Sequence, residues 1–232
     1  MKPLATAILA AGMVFGLSQP GLAQQGAKAL FYNDDGATVM AEQPQMHPKG
    51  RPGAQPCLGL KYWIELVDPD GQRVEVTTDH MFRSGDRIKM RLETNRDGYL
   101  YLFTVGSTGR YRLLFPQPQQ TGGSTLVKAR TVYEVPNGAH IKFDDHPGEE
   151  RLLALLSPQP MTDPALRVDP RTLEVLDEDG RRAVSTAQQK GAKDLILEVD
   201  ATAQAPGAYA VASLASLGDK GLLSVEIKLR HR

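Results

Sequence analysis

The chain has 232 residues, 27 basic against 27 acidic side chains, and one cysteine. Nucleic-acid binding rests on neutralising phosphates, and no basic stripe with interleaved aromatics is present, which argues against that class of partner. A lone Cys57 excludes an internal disulfide, and the length fits one domain with enough chain to bury a core.

The opening "MKPLATAILAAGMVFGLSQPGLAQQ" has a positive charge at Lys2, a charge-free apolar run from Leu4 to Leu17, and small residues at Gly21 and Ala23. That is the pattern of a secretory signal peptide, residues 1–23, with cleavage expected after Ala23. The run is shorter than the roughly 20 residues of a membrane-spanning helix, so no transmembrane segment is expected after cleavage. No cysteine sits directly after the cleavage site, which argues against a lipid anchor. No twin arginine precedes the run, which argues for export as an unfolded chain. The expected location is periplasmic or secreted.

Residues 24–56 are rich in Gly, Pro and Gln, with short apolar snatches such as "KALFY". This composition predicts an irregular, partly disordered lead-in with at most one short strand. Cys57 then reads as a small buried thiol at the edge of a strand; a reactive thiol needs a lowered pKa, and "AQPCLGLKYW" supplies no local activator.

From Cys57 onward the period is two. "LKYWIELVD", the turn "DPDG" and "QRVEVTT" predict a hairpin. In "IKMRLET", Ile88, Met90 and Leu92 share a dry face, and Lys89, Arg91 and Glu93 a wet one. The next strand, "GYLYLFTV", places Tyr99, Tyr101, Phe103 and Val105 on one side and Leu100 and Leu102 on the other. Apolar on both faces, it is expected at the centre of a sheet, covered twice. "GSTG" turns the chain into "RYRLLFP", and residues 116–124 read as a polar loop.

"TLVKARTVYEVP", "HIKFDD" and "RLLALLS" predict further strands, the last again central. Ser157 to Arg171 holds four prolines and reads as irregular. One short helix is expected within Asp179 to Lys190, followed by the strands "LILEVD", "GAYAVASLAS" and "LLSVEIKLR". Many short strands between turns predict a mainly all-β fold, an antiparallel sandwich spanning 57–232 as a single domain.

Catalytic signatures are missing: the sequence has no G-x-S-x-G elbow, H-E-x-x-H, C-x-x-C or phosphate-cradling loop. The densest polar cluster, residues 139–151, holds His140, Asp144, Asp145, His146, Glu149 and Glu150. Imidazole with carboxylate suits a transition metal, but His140 and His146 are six apart across a strand and turn, so the cluster reads first as a solvated loop. Tyr99, Tyr101 and Phe103 form a possible stacking row for a sugar or a partner, against the plainer reading that aromatics on a central strand are core. The expectation is therefore no catalytic, cofactor or metal residues.

Taken together, Phe82, Gly85, Asp86, Gly98, Tyr99, Tyr101, Leu113, Phe115, Pro116, Pro136, Pro147, Gly148, Glu150 and Ser157 make a combined pattern. It runs from an aromatic and Gly-Asp through Gly-Tyr-x-Tyr, Leu-x-Phe-Pro and Pro-Gly-x-Glu to a Leu-rich strand ending in Ser. Residues 81–160 thereby resemble the bacterial family known as domain of unknown function 4384. One departure is Gln117, where the family carries Asn after Phe-Pro. The resemblance implies a β-rich accessory domain of exported proteins, or one attached to signalling and peptidase modules, with no assigned activity and no catalytic residues to transfer. The function expected is a non-catalytic envelope domain that binds another envelope or secreted protein. A glycan- or cell-wall-binding module is the alternative, and a metal-dependent hydrolase the third reading.

The leader yields a direct expectation. N-terminal sequencing of the exported protein should start at Gln24, and a product that keeps Met1 would contradict export by this route.

Overall fold

A computed structural model describes residues 26–33, 56–106, 109–117, 121–161, 173–175, 178–202, 206–218 and 221–232. The expected leader, residues 1–23, lies outside the described residues, as do Ser107 and Thr108 of "GSTG" and most of the proline-rich stretch after Met161.

Two sheets face each other. The first is built on β1 (Cys57–Val67), β4 (Arg87–Thr94), β8 (Tyr133–Val135), β11 (Ile196–Asp200) and β12 (Gly207–Ser213), in the order β11-β12-β1-β4-β8. Its short strands β2 (Arg73–Val76) and β9 (Ile141–Lys142) pair with β1 and β4. The second is built on β3 (Met81–Phe82), β5 (Gly98–Val105), β6 (Tyr111–Phe115), β10 (Gly148–Ser157) and β13 (Leu223–His231), in the order β3-β13-β10-β5-β6, with β7 (Leu126–Val127) on β5. All pairings are antiparallel except β3 with β13. The fold is the expected all-β sandwich.

The alternating patterns decide which side chains lie between the sheets. Leu58, Leu60, Tyr62 and Ile64 of β1 and Ile88, Met90 and Leu92 of β4 meet Leu100 and Leu102 of β5. Leu152, Ala154 and Leu156 of β10 and Val225, Ile227 and Leu229 of β13 complete that core. The burial is dry enough to push the Tyr62 phenol up to about 12.

β5 and β10 are central, as their two-sided apolar character predicts, and their outer faces need a cover. It comes from α2 (Glu178–Gln189), which lies over Phe103, Leu153 and Leu155 with its buried Val184. Acidic Glu178 and Asp179 in its first turn complement the helix dipole. Both also reach one turn on, Glu178 to Arg181 at 2.7 Å and Asp179 to Arg182 at 3.5 Å.

Two further short helices differ from the expectation of a single helix. α3 (Leu214–Leu217) is one turn capped by Ser213, whose Oγ accepts from the Ala215 N–H at 3.2 Å. α1 (Ala27–Asn33) is a helix where the sequence of residues 24–56 predicts an irregular stretch with at most one short strand. Ala27, Leu30 and Phe31 share one helical face and bury it on Cys57, Tyr209 and Val211. Gly59 makes this contact possible, because a Cβ there would lie 2.8 Å from the Phe31 ring.

Two substitutions separate core from surface. Leu102→Asp, which buries an unpaired charge, is expected to cost several kcal/mol in urea denaturation. Glu75→Ala on exposed β2 should stay within roughly 0.5 kcal/mol, and similar losses for both would contradict the two-sheet burial.

Candidate functional site

The polar cluster of residues 139–151 separates into parts. Asp144, Asp145 and His146 converge on the exposed turn between β9 and β10, with their ligand atoms all within 4.8 Å of one another. The turn is held by the His146 N–H donating to Asp144 Oδ1 at 2.8 Å. His146 Nδ1 lies 3.2 Å from Asp145 Oδ1 and 3.6 Å from Asp144 Oδ2. His140 is not in this group. It is exposed, and burial together with the charges of Lys89, Arg87 and Arg73 lowers its pKa. Glu149 pairs with Lys228 at 3.5 Å across the strands. Glu150 and Asp144 line a cavity of about 120 Å³ floored by Phe143, Leu152 and Leu229. That volume is below the roughly 300 Å³ at which small-molecule pockets begin.

A residue the sequence reading did not weigh joins this corner. The His231 side chain is fully buried, its Nε2 3.9 Å from Asp144 Oδ1, and neither ring nitrogen has a hydrogen-bond partner. Its ring leans on Phe143 with centroids 5.1 Å apart. The signal was available: the alternation Val225, Ile227, Leu229 continues to position 231, placing the imidazole on the dry face of β13.

The aromatic row on β5 is not an open platform. Phe103 is fully buried under α2, Tyr101 and Tyr99 are half-buried, and Tyr101 stacks on Phe103 at 5.9 Å. Cys57 is buried beneath α1, its sulfur 3.6 Å from the Leu30 carbonyl oxygen.

The outer face of the first sheet carries the densest charge. Arg91 forks onto Glu65 through Nε at 2.9 Å and Nη2 at 3.0 Å, and its Nη2 lies 2.8 Å from Glu134 Oε2. Arg73 bridges Glu65 and Glu134, both at 3.1 Å, and Lys89 also donates to Glu134. The expected wet face of β4 is therefore a paired lattice, with Lys89 itself buried. Toward α1 the lattice gives way to cation–π contacts. Lys61 lies 4.7 Å from the Trp63 ring and Arg130 4.7 Å from the Phe31 ring. Arg130 also donates to the Phe31 carbonyl at 2.7 Å.

The four sheet edges are unequal. β6 is covered by residues 173–175, through Leu113 N–H to Leu173 O at 2.7 Å and Val175 N–H to Tyr111 O at 3.0 Å. β3 and the β8–β9 side are two- and three-residue strands. β11 is longer at five residues, contains no Pro, Lys or Arg, and among the described residues pairs on one side only. Its Leu197 and Val199 are 52% and 43% exposed. Its alternate residues Glu198 and Asp200 are engaged by α1, through the Lys28 N–H at 3.0 Å and the Lys28 ammonium.

The geometry is that of a β-sandwich domain with α2 over the outer face of the second sheet and α1 over part of the first. Residues 81–160 match the family model described as Domain of unknown function (DUF4384), the family whose pattern this segment resembles. No curated protein and no solved structure matches the chain. Gln117, which replaces the family's Asn, accepts from the Asn137 N–H through Oε1 at 2.6 Å and so ties two loops together. Among the described residues no helix is long and apolar enough to cross a membrane.

The charged lattice has a pH signature. Burial raises the Glu134 pKa, but the Lys89 hydrogen bond and the charges of Arg91 and Lys89 outweigh it and hold the carboxyl below its ordinary value. A depressed folded pKa stabilises fully above the unfolded value, about 4.3, and that stability is lost as the pH falls through the folded value. Glu134→Gln is expected to cost about 1 to 3 kcal/mol near neutral pH. The variant should also lose less stability than the parent between roughly pH 5 and pH 2. Parallel acid limbs in denaturant melts would show that Glu134 is not the titrating group.

Proposed function

We propose that this chain is an exported, non-catalytic accessory domain of the bacterial envelope, periplasmic or secreted, which binds an extended segment of another envelope or secreted protein along β11. The observation that carries the reading is an edge that no described residue guards. Sheet edges are normally blunted by Lys, Pro, bulges or a covering segment, and β11 has neither Lys nor Pro and exposes two aliphatic side chains. An added strand would gain main-chain hydrogen bonds from that edge and bury Leu197 and Val199 in alternate side-chain positions.

The non-catalytic part of the reading is supported by Cys57 lying under α1 and by the family match, which carries no assigned activity. The glycan reading loses its main support, since Phe103 of the aromatic row is buried.

The test compares the parent with the double variant Leu197→Lys, Val199→Lys. Partners are captured from the native envelope and identified by mass spectrometry, and hydrogen exchange is then followed across β11 with the captured protein added. The expected result is protection of residues 196–200 on binding, and at least a tenfold loss of capture by a variant whose thermal melt is unchanged. Equal capture by both forms, or protection elsewhere with β11 unaltered, would overturn the reading. Concentration-dependent dimerisation abolished by the variant would make the added strand a second copy instead.

A further inference from the structure

We propose that Asp144, Asp145, His146 and His231 form a site for one divalent transition-metal ion of the zinc class, which braces the end of β13 to the turn between β9 and β10. Two independent observations meet here. The first is the convergence of the three turn residues within 4.8 Å. The second is His231, from a strand more than eighty positions later in the chain, fully buried with both nitrogens unsatisfied and Nε2 nearest to Asp144. Burying an imidazole without a hydrogen bond costs free energy, which a metal bond to Nε2 would offset.

The distances favour a ligand. Four donors about 2.1 Å from a tetrahedral ion sit about 3.4 Å from one another. The separations are 3.2 Å from His146 to Asp145 and 3.6 Å from His146 to Asp144 Oδ2 within the turn, and His231, outside the group that converges within 4.8 Å, reaches the other Asp144 oxygen, Oδ1, at 3.9 Å. Three of the four groups are exposed side chains on the turn, so closing onto one centre with the fixed, buried His231 asks for movement of the turn side chains, including release of Asp144 Oδ1 from the His146 N–H.

The donor chemistry selects the ion. Two imidazole nitrogens with two carboxylates suit zinc and its neighbours, whereas calcium takes six to eight oxygens and magnesium keeps an all-oxygen shell. Two carboxylates would also neutralise the dication. The consequence is mechanical. The ion ties Asp144 to His231, whose strand end is held otherwise by its pairing with Gly148 and Phe82 and by Arg232 N–H to Phe82 O at 3.0 Å.

The test uses the full exported chain without a polyhistidine tag, stripped with a chelator and dialysed against zinc chloride. Metal is counted by elemental analysis, and the thermal melt is followed with and without zinc. The parent should bind about one zinc per chain, and zinc at 100 times its Kd should shift the folding equilibrium about 100-fold. His146→Ala and Asp145→Asn alter exposed side chains, so their zinc-free melts should match the parent while zinc affinity falls at least tenfold. His140→Ala, outside the group, should leave binding unchanged. His231→Asn should also lose zinc, and the two exposed variants keep the test decisive if it does not fold. The proposal is overturned by no stoichiometric zinc in the parent, by equal affinity in parent and His146→Ala, or by binding that depends on His140. Preference for calcium over zinc would likewise overturn it, because that site would not need the imidazoles.

Discussion

The pairing of β5 with β10 at the centre of the second sheet is the constraint from which the rest of the molecule follows. Leu100 and Leu102 face Leu152, Ala154 and Leu156 in one core, while Phe103, Leu153 and Leu155 point the other way. At about 25 cal/mol per Å² of apolar surface, these three outward side chains cannot be left in water. A second cover is therefore obligatory, and α2 with residues 173–175 supplies it. The same cover takes up Phe103 of the aromatic row and one sheet edge.

The first sheet meets its outer surface in a different way. Where Cys57, Gly59, Tyr209 and Val211 are small or apolar, α1 packs on them, pinned by Arg130 and by the Lys28–Asp200 pair. Where β1, β4 and β8 put Glu65, Arg91, Lys89 and Glu134 side by side, no helix is needed. A buried charge is tolerated only with a partner, and here each acid serves at least two cations. The lattice also crosslinks β1, β2, β4 and β8 on one surface, so it fixes register as well as charge.

Legibility in the sequence followed the range of the forces involved. Strand periodicity is local, so the dry faces of β4 and β13 and the double burial of β5 and β10 could all be read directly. The chemistry of the wet face could not. Lys89 is buried because Glu134 comes from a strand forty-five positions away, and alternation alone says only that it points away from the core. α1 was hidden for a related reason. Seven residues are too few to hold a helix alone, and a window dominated by Gly, Pro and Gln averages away the three side chains that dock it. The polar cluster was half legible: Asp144, Asp145 and His146 are adjacent in sequence, whereas His140 and His231 exchange roles once the chain is folded.

That exchange shows what packing explains at the corner of the sandwich and what it leaves over. Position 231 is the last inward site of β13, directly after Leu229, and it is enclosed by Phe143 and β10. A leucine or valine there would bury its surface without stranding two polar nitrogens. An exposed position one residue on either side would leave a histidine hydrated, since Arg230 and Arg232 both reach solvent. The fold instead places the imidazole with Nε2 3.9 Å from Asp144 Oδ1 on the β9–β10 turn. A strand end is where a sheet frays first. At this end of β13 the hold comes from the pairing of His231 with Gly148 and from its ring against Phe143, and the two stranded nitrogens are what that packing leaves unexplained.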